Sequence, residues 1–267
     1  MKKIAFILML TACLGMAYAQ EKESHAAPIS FDTVGADTTR AIKIIDQYLK
    51  KVDFSQANTD SMMCVVSYVV DRSHPQDTIT VYRWYMVPYY NRIEVWQNGK
   101  IEGGFYSDGL KLFRKFHTGR REWVDLTPDS YFNLVLPYDI RGALYNWRSK
   151  GAEVYYAGEV TFKGTTVDRV FVTMPQSFDR YYYFQQNTGL LGLVVEDEHI
   201  YGDREPSKNA VRVDWRAWHE FTPFNGFYLP KEESYQVDGS QIVILNHSYH
   251  YEAPQKKLFT EDYIRHK

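Results

Sequence analysis

The stretch that decides the fold is Gly151 to Val195, GAEVYYAGEVTFKGTTVDRVFVTMPQSFDRYYYFQQNTGLLGLVV. It reads as three or four short β-strands that fold back on themselves. Glu153 to Phe162, Thr166 to Thr173, Arg180 to Gln186 and Leu190 to Glu196 are rich in Val, Tyr, Thr and Phe, the residues that fit a pleated surface. Gly158 and Gly164 punctuate the first part, and Asn187-Thr188-Gly189 makes the later turn. Tyr181-Tyr182-Tyr183 shows the period of two: Tyr182 faces away from its neighbours.

The same grammar extends toward the N-terminus. Met62 to Asp71, Thr78 to Val87, Asn91 to Gln97, Ile101 to Tyr106, Leu110 to Phe116 and Arg121 to Leu126 form a meander. Turn signals fall every eight to twelve residues, the mark of an antiparallel sheet. Asn98-Gly99 is the strongest hairpin signal, and Ser107-Asp108-Gly109 turns again. Toward the C-terminus, His199 to Asn209 reads as a loop and Val211 to Phe221 as a strand with Trp215 and Trp218 on opposite faces. Asn225-Gly226 turns into Tyr228 to Val237, and Asp238-Gly239 into Gln241 to Tyr251.

Helices are few. Ala41, Ile44, Ile45, Tyr48, Leu49 and Val52 make one apolar stripe at helical spacing, and Asp37 or Thr38 caps it. Such a helix must lie on an apolar surface to be stable. Thr127-Pro128-Asp129 is a helix start. Tyr131 to Leu136 follows, Pro137 breaks it, and Asp139 to Lys150 reads as a second short helix ended by Gly151. A central helical segment thus interrupts the sheet. With no linker rich in Gly, Pro or Ser, residues 37–267 are expected to form one domain, mainly β with an α+β mixture.

Composition bounds the function. The chain has 267 residues, 45% of them hydrophobic and 24% charged, enough for a packed core. A net charge of -2 gives no general pull toward nucleic acid, and none is expected as a partner. Aromatics reach 16%, with 22 Tyr, which suits strands and binding surfaces alike.

Met1-Lys2-Lys3, the apolar run Ile4 to Leu10 and Ala17-Tyr18-Ala19 read as a secretory signal peptide, residues 1–19, with a flexible leader over 20–36. The expected location is the bacterial periplasm. A competing reading takes Leu10-Thr11-Ala12-Cys13 as a lipobox, giving an outer-membrane lipoprotein anchored through Cys13 with peripheral membrane contact. Cys64 then has no internal disulfide partner, and its apolar setting predicts a buried, inert thiol.

This order of elements resembles the LolA/LolB-like family, the outer-membrane lipoprotein-sorting proteins and their relatives. The resemblance rests on four places: the N-terminal amphipathic helix; Gly109 with Leu112 and Trp123; Gly158-Glu159-Val160 through Asp168-Arg169-Val170 to Tyr183-Phe184 and Thr188-Gly189-Leu190; and Asn225-Gly226 with Leu229-Pro230, closing on Leu258-Phe259. It covers Asp37 to Phe259. It implies a half-open, curved antiparallel sheet or incomplete barrel, covered by the N-terminal helix and the central helical lid. It also implies binding of a lipid, acyl chain or lipoprotein by a carrier or chaperone rather than an enzyme. The alternative is an envelope sensor or interaction module, binding a protein partner or a glycan through sheet aromatics. A monomer is expected. A lid-latching arginine is Arg40, Arg83 or Arg92.

On that geometry the candidate ligand-binding residues are Trp84, Met86, Trp96, Phe113 and Trp123 on the sheet and Phe132, Leu136, Leu144 and Trp147 on the lid. Taken singly, each is more simply an ordinary core residue; the expectation concerns the set. The sequence carries no nucleophile elbow, phosphate loop or cofactor motif, and no catalytic residue or metal ligand is assigned. His247 and His250, three apart on a strand, face opposite sides and cannot chelate together. Glu196, Asp197, Glu198, Asp203 and Glu205 read as a solvated acidic loop, with a calcium site as a distant second. Asp37-Thr38-Thr39, Asp60-Ser61-Met62 and Asp77-Thr78-Ile79 fit an O-glycosylation tripeptide, and capping explains Asp and Thr there equally well.

Overall fold

A computed structural model describes residues 31–53, 62–70, 79–86, 90–116, 118–127, 142–162, 164–174, 179–201, 210–236 and 243–260. Among the described residues, one α-helix, α1 (Thr38–Val52), precedes thirteen strands: β1 (Met62–Val70), β2 (Ile79–Met86), β3 (Tyr90–Gln97), β4 (Lys100–Ser107), β5 (Lys111–Lys115), β6 (Arg121–Asp125), β7 (Glu153–Phe162), β8 (Thr165–Thr173), β9 (Arg180–Gln185), β10 (Leu191–Tyr201), β11 (Ala210–Phe224), β12 (Phe227–Gln236) and β13 (Val243–Glu252). A 3-10 turn, Lys256–Phe259, follows. The strand order is β6-β5-β4-β3-β2-β1-β13-β12-β11-β10-β9-β8-β7, a linear series and therefore an open sheet. Contacts divide the chain into two compact units. The first holds β1 to β6, β13 from Leu245 and the 3-10 turn; the second holds α1 and β7 to β12.

The second unit contains the deciding stretch. β7, β8, β9 and β10 pair in sequence as antiparallel neighbours. Gly158 sits at φ 96, where the β7–β8 register slips between Tyr156 and Glu159, so the bulge needs the one residue that tolerates that backbone. α1 packs on β7 and β12. Asp37 caps it by accepting the Arg40 backbone N–H at 2.8 Å, which supports the capping role at that tripeptide; the other two tripeptides lie mainly outside the described residues. Ala41, Ile45 and Val52 are buried, and the Tyr48 ring meets Phe184 edge-on at 5.5 Å. Tyr182 is buried on the face of Val170 and Val194. Tyr181 and Tyr183 are half-buried on the opposite face with Phe31, Phe171 and Leu193.

Two expectations need correction. Residues 143–150 form successive turns, not the second half of a helix over Asp139 to Lys150. Gly142 at φ 84 and Asn146 at φ 51 are left-handed, which an α-helix cannot contain. Asn146 accepts the Lys150 N–H at 3.2 Å, and Leu144 accepts that of Trp147 at 3.2 Å, so single turns replace the helical ladder. Residues 128–141, the remainder of the expected lid, lie outside the described residues. The second correction concerns β10, which runs on to Tyr201 through what reads as an acidic loop. Asp197, Glu198, His199, Ile200 and Tyr201 pair with Asp214, Val213, Arg212, Val211 and Ala210. Strand pairing over a long hairpin outweighs the low β-propensity of these acids. Asp203 and Glu205 lie outside the described residues.

The first unit is a meander. Asn98 at φ 51 and Gly99 at φ 75 make the tight β3–β4 hairpin that this dipeptide favours. Asp108 turns β4 into β5 by accepting the Leu110 and Lys111 N–H groups at 2.9 and 2.8 Å. One face buries Met63, Val65, Val69, Ile79, Val81, Ile93, Val95, Phe105 and Leu112 as apolar core. The other face carries the candidate residues.

Candidate ligand-binding face

Directly opposed residues of antiparallel strands share a face. Register aligns Cys64 with Trp84, Trp84 with Arg92, Arg92 with Tyr106, Tyr106 with Phe113 and Phe113 with Trp123. Alternation along β2 and β3 adds Met86 and Trp96 to that face. All five sheet candidates, Trp84, Met86, Trp96, Phe113 and Trp123, therefore share one side of the first unit.

They are not equally open. Met86 is buried with Met62, Leu258 and Phe259, against which Trp84 and Tyr90 pack. Phe113 is buried beside Tyr106, and the Trp123 ring lies 4.3 Å from its centroid. Trp123 itself is 37% exposed. Trp84 and Trp96 are half-buried, and Tyr82 stacks on the first at 5.6 Å and meets the second edge-on at 5.9 Å. The lid candidates sit otherwise. Leu144 and Trp147 are buried in the second unit, while Phe132 and Leu136 lie outside the described residues.

The centre of the face is charged, which apolar patterning did not find. Arg92 and Glu94 are 3% and 1% exposed. The Arg92 Nε donates to Glu94 Oε1 at 3.1 Å, and its Nη2 donates to the same oxygen. Arg92 Nη1 donates to the Leu258 carbonyl at 3.1 Å, tying β3 to the 3-10 turn. Glu94 also accepts from Trp96 Nε1 at 2.9 Å and from the Tyr106 hydroxyl at 3.1 Å. The guanidinium lies over the Trp84 and Tyr106 rings, at 4.7 and 5.3 Å. A buried ion pair persists only when hydrogen bonds satisfy both ions, and here they do. Gly104 makes this packing possible: a Cβ there would meet the Tyr106 hydroxyl oxygen at 2.8 Å. The sequence signal was Arg92-x-Glu94-x-Trp96, a polar period of two that ordinarily marks a solvated face.

Of the three candidate arginines, Arg92 is thus buried. Arg83 points to the other face of β2, opposite Val65 and Ile93. Arg40 belongs to the second unit, where its Nη2 donates to Glu159 at 2.7 Å and to Asp168 at 3.0 Å. Cys64, at the β1 end of the aromatic row, is 1% exposed, as its apolar neighbours implied. Burial, and then the Glu252 carboxylate, push its thiol up to about 12.

No family model matches the chain, and no curated protein matches it in sequence. Solved structures match in fold. A LolA superfamily protein from Nitrosomonas europaea is 14% identical with a TM-score of 0.54, over 84% of this chain and 98% of its own. A domain from Vibrio parahaemolyticus assigned to outer membrane lipoprotein sorting is 7% identical with a TM-score of 0.53, over 86% and 100%. A DUF1329 family protein from Desulfovibrio piger is 10% identical with a TM-score of 0.51, over 85% and 98%. The fold is of the LolA type, as the order of elements implied.

Proposed function

We propose that the chain is an exported envelope protein that binds an acyl-bearing amphiphile, a lipid or lipoprotein, on the aromatic face of β1 to β6, as a carrier or chaperone. The observation that carries this reading is the register that gathers Trp84, Met86, Trp96, Phe113 and Trp123 on one side. The fold supports it, because a structural neighbour of the same fold is assigned to lipoprotein sorting. The N-terminal pattern of a targeting segment supports a location in the periplasm, or at the outer membrane if Cys13 is lipidated. Each methylene laid on these rings and withdrawn from water contributes about 0.8 kcal/mol. The Arg92–Glu94 pair holds the rings in place, since its hydrogen bonds and cation–π contacts reach Trp84, Trp96 and Tyr106.

Native mass spectrometry of protein released gently from the envelope tests the proposal. The expected spectrum carries a hydrophobic adduct that Trp123→Ala or Trp84→Ala depletes. A bare chain that also fails to quench a fluorescent fatty acid sinks it. One observation favours a second reading: Trp123 is exposed on β6, the last strand of the series, where a protein segment or glycan can reach it. Affinity capture from envelope extract separates the two, since a carrier enriches lipid and an interaction module enriches one macromolecule.

A further inference from the structure

β1 and β13 are neighbours in the strand order, and they bring Cys64 next to two residues far from it in sequence. We propose that Cys64, His250 and Glu252 form a binding site for a divalent cation of the zinc type. One donor atom from each lies within 4.8 Å of the other two. The His250 Nε2 is already 2.9 Å from Glu252 Oε1. A four-coordinate zinc, with bonds of about 2.0–2.3 Å, spaces its donors about 3.3–3.8 Å apart, so side-chain adjustment alone closes the site.

The donor set has the right charge. A thiolate and a carboxylate carry two negative charges and a neutral imidazole carries none, so a divalent ion leaves the cluster uncharged. That matters beside a side chain as buried as Cys64, where uncompensated charge is costly. Sulfur, nitrogen and oxygen together select zinc and its borderline neighbours over calcium and magnesium, which take oxygen alone. Exposure is graded across the cluster: the Cys64 residue is 1% exposed, and the side chains of Glu252 and His250 are 33% and 48%. The thiol is fixed in the sheet while the other two donors open to water, leaving a fourth position for solvent or a ligand. His247 takes no part, because it bonds Ser67 at 2.7 Å. This site stands independently of the amphiphile reading. No local spacing in the sequence announces it, because Cys64 is on one strand and His250 and Glu252 on another.

Titrating metal-stripped, untagged full chain with zinc by calorimetry should give one ion per chain. Cobalt should produce a thiolate charge-transfer band. His250→Ala and Glu252→Gln, at the open side, should each weaken zinc at least about tenfold, the loss that even indirect supports of a metal ligand cause. Cys64→Ser should abolish the cobalt band; if that variant fails to fold, the two open-side variants decide. Absence of stoichiometric zinc binding, binding that neither open-side variant weakens, or a cobalt complex without the thiolate band overturns the proposal.

Discussion

The two units are both antiparallel meanders, and their strands are covered in different ways. In the second, α1 lays the apolar Ala41, Ile45 and Val52 on the sheet, and its Tyr48 meets Phe184, while β12, on which it also packs, buries Glu233. In the first, the aromatic face is organised around a buried arginine and glutamate, and the 3-10 turn packs on β3. The difference is between a helix contact held mainly by non-directional burial and a face centred on directional bonds. Burial fixes how much surface is hidden. Hydrogen bonds and cation–π contacts fix where each ring points, which a recognition surface requires.

The largest effect should follow from breaking the directional face. Glu94→Ala strands the Arg92 charge with the Leu258 carbonyl and should cost about 3–5 kcal/mol. Urea denaturation measures it, and a shift below 1 kcal/mol would mean that the pair is open to water. The paired change Arg92→Met with Glu94→Leu sharpens the point. It should restore much of the stability while loosening Trp96 and Tyr106, whose donors lose their acceptor. In the second unit, Ile45→Ala opens a cavity under α1 and should cost about 2–4 kcal/mol. There, an apolar substitute of similar volume such as Leu should recover most of the loss, as no directional contact is broken. A smaller effect is expected at Gly104. An added methyl presses on the Tyr106 ring, which cannot move without leaving Glu94. Gly104→Ala should cost about 1–3 kcal/mol, and Tyr106→Phe in the same chain should change little further.

The contrast also explains what was legible in the sequence. The apolar stripe of α1 and the turns at Asn98-Gly99 and Asn225-Gly226 are local signals, and each element stands where its residues implied. Alternation alone puts Trp84 and Met86 on one side of β2, but that Trp96, Phe113 and Trp123 share that side depends on cross-strand register. Arg92 and Glu94 were not, because a charge on a strand is ordinarily solvated and only cross-strand partners permit its burial. The turns over 143–150 resembled a helix because Leu144 and Trp147 have helical spacing; nothing local announces that Asn146 adopts φ 51. The extension of β10 to Tyr201 depends on its partner β11, a non-local term that outweighs composition.

The smallest effect tests the rim of the second unit, where Tyr156, Asp168 and Arg40 meet. Tyr156 donates to Asp168 at 3.1 Å, beneath the Arg40 guanidinium at 3.9 Å from the ring centroid. Burial first, and the Asp168 carboxylate second, push this phenol from 10.0 up to about 12. A raised phenol means that folding favours the protonated form. Its contribution is therefore full below pH 10 and fades as the pH climbs from 10 toward about 12. Above that range the ionised ring faces Asp168 and Glu159 with Arg40 as the shared cation. Water reaches this cluster, so screening holds the contribution to on the order of 1 kcal/mol. Tyr156→Phe removes the titrating group, and its stability relative to the parent should rise across that window. A parent and variant that lose stability in parallel would place the alkaline sensitivity elsewhere, Tyr48 under α1 being the next group that burial holds protonated.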